Sequence, residues 1–311
     1  MNILVTGGAG FIGRWVVKKL LDDGYKVVAF DDLSNGQLLN IEEFKGREGF
    51  SFIKGDIKDR AAIKQLFANK FDLVYHLAAS INVQDSIDDP RSTFNNDVLG
   101  TFNVLEECRQ SNTKVVFMST CMVYDRSTEA EGISEIHPVK PASPYAASKL
   151  SGENLTLSYY YAYGLPAVVV RPFNTYGPFQ KASGEGGVVA IFIKKNLQGE
   201  SLNIYGDGTQ TRDLLYVEDC ADFVIRAGMD KRADGQLLNA GLGSDVSINE
   251  LAVLICRDEL RIIHVPHIHP QSEIQKLLCN YDKANKLLGW KPQVSLAEGL
   301  KRTREWIVGQ E

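Results

Sequence analysis

Six short runs of apolar, largely β-branched residues punctuate the first 172 positions: 2–6 (NILVT), 26–30 (KVVAF), 50–56 (FSFIKGD), 73–79 (LVYHLAA), 114–120 (KVVFMST) and 167–172 (AVVVRP). Each is followed by a longer stretch of helical character. Continuous apolar strands interleaved with helices predict a parallel sheet covered on both faces, a doubly wound α/β domain. The pattern loosens after Arg171, where 174–187 (NTYGPFQKASGEGG) is rich in Gly and polar residues. The final third mixes short strands with helical segments at 247–256 (SINELAVLIC) and 296–307 (LAEGLKRTREWI). This predicts a smaller α/β lobe, mainly 173–311, closing over the carboxyl edge of a sheet domain built from 1–172 and part of 213–240. No internal repeat or low-complexity tract interrupts the pattern.

At 311 residues, 44% hydrophobic and 23% charged, the chain is long enough for a well-buried core. Its 39 acidic and 34 basic side chains give a formal charge of −5, with no Lys/Arg block, so the electrostatic footprint of a nucleic-acid-binding protein is missing. An anionic ligand then has to be held by a local site. The opening MNILVTGG runs into a strand with no basic segment and hydrophobic signal, and no apolar run approaches membrane-spanning length. The expectation is a cytoplasmic protein without a membrane partner. The five cysteines, at 108, 121, 220, 256 and 279, are scattered and form no CxxC pair, which predicts reduced thiols and no metal site.

Candidate chemistry begins in ILVTGGAGFIGRWVVKKLL, where Gly7, Gly10 and Gly13 fall at a strand-to-helix turn. Glycine there lets the chain turn tightly, lets a pyrophosphate approach the backbone and lets the helix pack on the sheet, while the helix N-terminus supplies N–H donors. Asp31, eighteen positions after Gly13, ends the second apolar run. An acidic side chain there binds adenosine ribose hydroxyls and repels a 2′-phosphate, so the pattern favours NAD over NADP. The bland alternative makes Asp31 and Asp32 ordinary turn residues. Further along, SPYAASKLSGEN puts Tyr145 and Lys149 four apart on one helix face. A neighbouring ammonium and an oxidised nicotinamide both favour a phenolate, which could take a hydroxyl proton while hydride leaves the same carbon. By itself, a YxxxK spacing is common on exposed helices; beside the glycine turn it gains weight.

With TGGAGFIG, DDLSNG, GDI, HLAA, ST before VY, YAASK, RPFNTYGP, YGDGTQTRDLLYVED and LGWKP in order, the chain resembles the extended short-chain dehydrogenase/reductases, specifically the NAD-dependent nucleotide-sugar epimerases and dehydratases. The resemblance implies a Rossmann-type fold, recycled NAD, a nucleotide-diphosphate sugar substrate and a reaction opening with oxidation at sugar C4. It implies that Thr120, Tyr145 and Lys149 are catalytic, with Thr120 on the C4 oxygen and Lys149 also holding the nicotinamide ribose. The cofactor would lie against Gly7, Gly10, Phe11, Ile12, Gly13, Asp31, Asp32, Asn35, Gly36, Asp56, Ile57, Leu77, Ala78, Ala79, Asn96, Pro172 and Phe173. Ser80, Met122, Asn174, Val188, Phe192 and Arg212 would meet the substrate. The aromatic residues of SYYYAYG, with the resemblance, imply a homodimer.

Three positions depart from the family pattern. Asp97 stands where Asn is usual, three before the Gly of GT, and PHIHPQSEI offers His267 and His269 where an Arg often precedes PxxE; His269 is the candidate substrate contact. The third is TCM at 120–122, where dehydratases that resemble this chain commonly read TDE. Met122 cannot transfer protons, and Cys121 either acts as an acid or base or simply lines the sugar pocket. A 4-epimerase needs no second acid–base pair, so C4 epimerisation is favoured. The alternatives are 4,6- or 5,6-dehydration using Cys121 or a distant carboxylate, decarboxylation or release of a 4-keto sugar, and a non-catalytic NAD-sensing protein.

Overall fold

The computed structural model describes residues 1–127, 131–182, 187–267 and 273–310. Strands β1 (Asn2–Thr6), β2 (Lys26–Asp31), β3 (Phe50–Lys54), β4 (Leu73–His76), β5 (Lys114–Met118) and β6 (Ala167–Pro172) follow the six apolar runs. Three of those runs outlast their strands: Gly55 and Asp56, Leu77–Ala79, and Ser119 and Thr120 leave the sheet as loops. Beyond β6 come β7 (Asn174–Tyr176), β8 (Leu202–Tyr205), β9 (Thr211–Tyr216), β10 (Leu237–Ala240), β11 (Asp245–Ser247), β12 (Ile262–Val265) and β13 (Lys276–Leu277). The helices are α1 (Phe11–Asp22), α2 (Arg60–Leu66), α3 (Val83–Asp88), α4 (Pro90–Phe94), α5 (Gly100–Ser111), α6 (Pro144–Tyr163), α7 (Val188–Leu197), α8 (Val217–Met229), α9 (Ile248–Ile255), α10 (Asp282–Leu288) and α11 (Leu296–Val308). Among the described residues none forms a helix long and apolar enough to cross a membrane.

The main sheet runs β10-β6-β5-β4-β1-β2-β3, with every pairing parallel. Its alternate side chains feed two cores. Ile3, Val5, Val27, Ala29, Val116 and Val168 pack under α1 and α8, while Leu4, Val28, Val74 and Val115 pack under α2 and α5. That two-sided burial is why these strands carry no polar alternation. The second layer is a small sheet around β9, flanked by β7, β11 and β13, with β8 and β12 paired beside it. Its core gathers Tyr176, Phe192, Ile204, Leu214, Leu251 and Ile307. The chain passes between the layers more than once: Phe173 alone separates β6 from β7, and β9 runs straight into α8, which packs beneath the main sheet.

Two polar clusters tie separate elements together. Arg171 on β6 donates from Nε to Glu153 Oε1 of α6 at 2.7 Å and from Nη2 to Oε2 at 2.5 Å, and Ser119, just past β5, donates to the same carboxylate. Both ionic side chains are almost fully buried. On the other side of the molecule Arg14 of α1 pairs with Glu43, donates to the Asn40 carbonyl at 3.0 Å and lies 3.8 Å from the ring centre of Phe179. Phe179 in turn packs on Trp306 of α11 at 4.8 Å, and Trp15 donates to the Pro178 carbonyl at 3.2 Å. The first helix is thereby clamped to the second layer.

Removing one member of a buried ion pair strands the other charge. Arg171→Met should lower stability by about 3–5 kcal/mol, read as a shift of the urea midpoint at unchanged slope. Adding Glu153→Leu should recover much of the loss.

Candidate active site

The loops leaving the carboxyl ends of β1, β2, β4, β5 and β6 face the second layer across a cleft of about 1630 Å³. At its floor β1 turns into α1. Gly7 has φ +71°, where side chains are strained, and a Cβ there would sit 2.8 Å from the Ala78 nitrogen. Gly13 faces the Gly7 carbonyl with no room for a Cβ, and one at Gly10 would come within 3.1 Å of the same oxygen. Helix α1 starts at Gly10 without a side-chain cap, leaving its first N–H groups for a ligand. A dinucleotide pyrophosphate fits this cradle, which any larger residue would fill.

Asp31 closes β2 with its carboxylate facing the cleft; Oδ2 accepts from the Ala9 nitrogen at 3.1 Å and Oδ1 from the Leu33 nitrogen at 2.9 Å. Burial raises its pKa from the ordinary carboxylate value, and the two backbone donors oppose that rise. Phe11, Ile12, Asp32, Asn35, Gly36, Ile57, Leu77, Ala78, Ala79 and Asn96 also line the cleft. Asp56 does not. Its carboxylate accepts from the Lys58 nitrogen at 2.8 Å and pairs with Lys58 Nζ at 3.2 Å, closing the turn before α2.

Helix α6 delivers the candidate catalytic pair. Ser143 caps it by accepting from the Ala146 nitrogen at 3.2 Å, which puts Tyr145 in the first turn and Lys149 one turn later, both buried on the cleft wall. The Thr120 hydroxyl lies near Tyr145 and draws its phenol down, and it accepts from the Met122 nitrogen at 3.2 Å. Lys149 Nζ lies 4.6 Å from the ring centre of Phe117. Burial pushes the Tyr145 hydroxyl up and the Lys149 ammonium down, so neither is ionised for free in this layer. Cys121 is 2% exposed, and burial pushes its thiol up to about 12. Pro172 and Phe173 complete this wall.

Ser80, Met122, Asn174, Val188, Phe192 and Arg212 line the cleft as well. Asn174 Nδ2 is buried with no hydrogen-bond partner, an open donor on the cleft wall. Arg212 donates to the carbonyls of Thr211 at 2.7 Å and Ile274 at 2.9 Å and pairs with Glu273, whose other oxygen meets His267 Nε2 at 2.6 Å. His269 lies outside the described residues. His267, which PHIHPQSEI offers beside His269, lines the cleft, and so do Gln180, Lys181, Tyr205, Gln210 and Glu273, which composition and spacing do not single out. Tyr205 and Gln210 fall inside the YGDGTQTRD run, and that was their one signal.

Fold and cleft together define an NAD-dependent α/β protein of the extended short-chain dehydrogenase/reductase type. More particularly, residues 3–241 match the NAD dependent epimerase/dehydratase family, and the chain belongs to it. It is 63% identical to Pal from Bacillus thuringiensis, whose solved structure superposes with a TM-score of 0.98 over 100% of both chains. A UDP-glucose 4-epimerase of Mycolicibacterium smegmatis is 40% identical over 99% of this chain and 98% of its own. A UDP-glucose 4-epimerase of Thermus thermophilus, solved in complex with NAD, is 33% identical with a TM-score of 0.91 over 100% of both chains.

Asp31→Arg should weaken NAD binding and strengthen NADP binding, measured by calorimetric titration. Equal affinity of the unmodified protein for both cofactors would contradict the role given to Asp31.

Proposed function

We propose that the protein isomerises a nucleotide-diphosphate sugar by transient oxidation of its C4 hydroxyl, C4 epimerisation being the simplest form. One observation carries this reading: the segment after Thr120 presents Cys121 and Met122, with no carboxyl group. Among the described residues lining the cleft, the carboxylates are Asp31 and Asp32 at the adenosine end, Asp85 and Asp89 around α3, and Glu273, committed to Arg212 and His267. Elimination of water needs an acid for the leaving hydroxyl and a base for the carbon acid, each typically worth about 10²–10⁴-fold. A thiol pushed up to about 12 keeps its proton at neutral pH, and a thioether has none to give. The two relatives that are UDP-glucose 4-epimerases support the same reading and make UDP-hexoses the first substrates to test.

In this reading Tyr145 takes the proton of the C4 hydroxyl and later returns one to the C4 oxygen. Thr120 holds that oxygen against Tyr145. Lys149 stabilises the phenolate, and Arg212 with Asn174 anchors the diphosphate. NAD supplies the acceptor, and afterwards the donor, of the C4 hydride. Cys121 and Met122 give a keto-sugar an uncharged wall against which to present its other face, with Val188 and Phe192 toward the nucleotide base. We further infer a homodimer: the adjacent helices α5 and α6 expose Phe102, Tyr161 and Tyr163, and Leu99 precedes them. Light scattering should give twice the chain mass, falling to one chain on Phe102→Glu with Tyr161→Glu.

Tyr145→Phe should lower the turnover number about 10²–10⁴-fold with substrate binding nearly intact. Cys121→Ser should keep much of the activity, and mass spectrometry of UDP-hexose reactions should find product at unchanged mass. Loss of product in Cys121→Ser with a persistent reduced-nicotinamide absorbance, or a product lighter by one water, would overturn the isomerase reading.

A further inference from the structure

Between α4 and α5 the chain makes one turn of π-helix, Asn95–Leu99, which packs against α6. Turns of this kind re-aim side chains and occur often at functional sites. This one buries a carboxyl group. Asp97 is 1% exposed; its Oδ1 accepts from the Ser80 nitrogen at 2.7 Å and from Asn96 Nδ2 at 3.0 Å. Oδ2 is equally buried and has no hydrogen-bond partner in the protein.

The ionisable groups around it narrow what that oxygen can do. From α6 Lys149 and Tyr145 act on it. Glu153, which also acts on Lys149, is committed to Arg171 and Ser119. His76 of β4, beside Lys149, is held between the hydroxyls of Thr6 and Thr101 and pushed down to about 3 by burial and by Lys149, hence neutral. Cys121, beside Tyr145, keeps its proton. Among these groups the cations are Lys149 and Arg171, and the carboxylates are Asp97 and Glu153. Once Arg171 and Glu153 have paired, Asp97 is the counter-charge left for Lys149. The electrostatics run the same way: Asp97 raises both the Lys149 ammonium and the Tyr145 hydroxyl, and Lys149 draws Asp97 down against its burial.

We propose that Asp97 is a positioning residue of the catalytic pair: its carboxylate balances the Lys149 ammonium, so that Tyr145 stays protonated until a further positive charge is set beside it. An amide at this position would leave Lys149 unbalanced and free to draw the phenol into ionisation. The carboxylate makes Tyr145 a weaker acid, suited to holding a proton whenever the cofactor beside it is reduced and uncharged at the nicotinamide ring. This rests on the reading of Tyr145 as the acid–base group.

The test is Asp97→Asn in the holoenzyme. The amide oxygen can keep the bonds from Ser80 and Asn96, and the new NH₂ replaces the oxygen that has no partner. Phenolate absorbance, taken against the Tyr145→Phe background, should place the Tyr145 titration about 1–3 pH units lower than in the unmodified protein. The acid limb of kcat/KM should move with it. An unchanged or higher midpoint overturns the proposal. Should Asp97→Asn fail to fold, Lys149→Met offers a second measurement. Without its counter-charge Asp97 should hold a proton to higher pH than in the unmodified protein, read from the un-ionised carboxyl band in the infrared; an unchanged carboxyl titration overturns the proposal. The absorbance titration needs no substrate, so full turnover in Tyr145→Phe would sink the underlying reading separately.

Discussion

The carboxylate of Glu153 is the joint around which the site is assembled. It receives Arg171 from β6 and Ser119 from the end of β5, and it belongs to α6 one turn beyond Lys149 and two beyond Tyr145. Each of its partners is the immediate neighbour of a cleft residue: Ser119 of Thr120, Arg171 of Pro172. Three separate chain segments are thus held at fixed spacing by one buried group. A buried ion pair contributes little net stability against an apolar replacement, because both charges lose their hydration. Its value here lies in register. The Arg171 guanidinium also lies 4.5 Å from the ring centre of Tyr124, whose hydroxyl donates to Asn239 Oδ1 at 2.7 Å, extending the lock to β10.

The sheet was largely legible in the sequence because burial on both faces leaves no polar alternation to confuse the pattern. Strands β1 and β6 match their apolar runs from end to end. The runs at 73–79 and 114–120 overshoot because Leu77, Ala78 and Ala79, like Ser119 and Thr120, have left the sheet to line the cleft, and apolar or small residues suit a ligand wall as well as a strand. Strand β10 escaped notice: four residues, LLNA, carry too little periodicity, and their pairing partner lies far upstream on β6. The glycine turn and the Tyr–Lys spacing could be read directly because each is a local geometric requirement. The neighbours of Asp97 could not be, since they depend on how a π-turn meets α6. Nor could the partners of Arg14, which shares a face of α1 with Val17 and Leu21 and is buried under Phe179 and beside Glu43.

Much of the cleft's chemistry follows from burying charges in a small space and pairing them unequally. At one end of the cleft two backbone N–H groups hold the carboxylate of Asp31. At the opposite end Arg212 is drawn down to about 10 by burial yet remains a cation, and it shares Glu273 with His267. Between them the thiol and thioether of Cys121 and Met122 bring no charge at all.

The crossings between the two layers also constrain how such a protein can change over evolutionary time. Because β10 and α8 return to the main sheet after β7, β8 and β9 have built much of the second layer, no single recombination point separates the two. Exchanging everything after Phe173 for a foreign block would tear an edge strand and a covering helix out of the main sheet along with the substrate wall. Substitution within the cleft, as at TCM in 120–122, alters the site without disturbing either sheet.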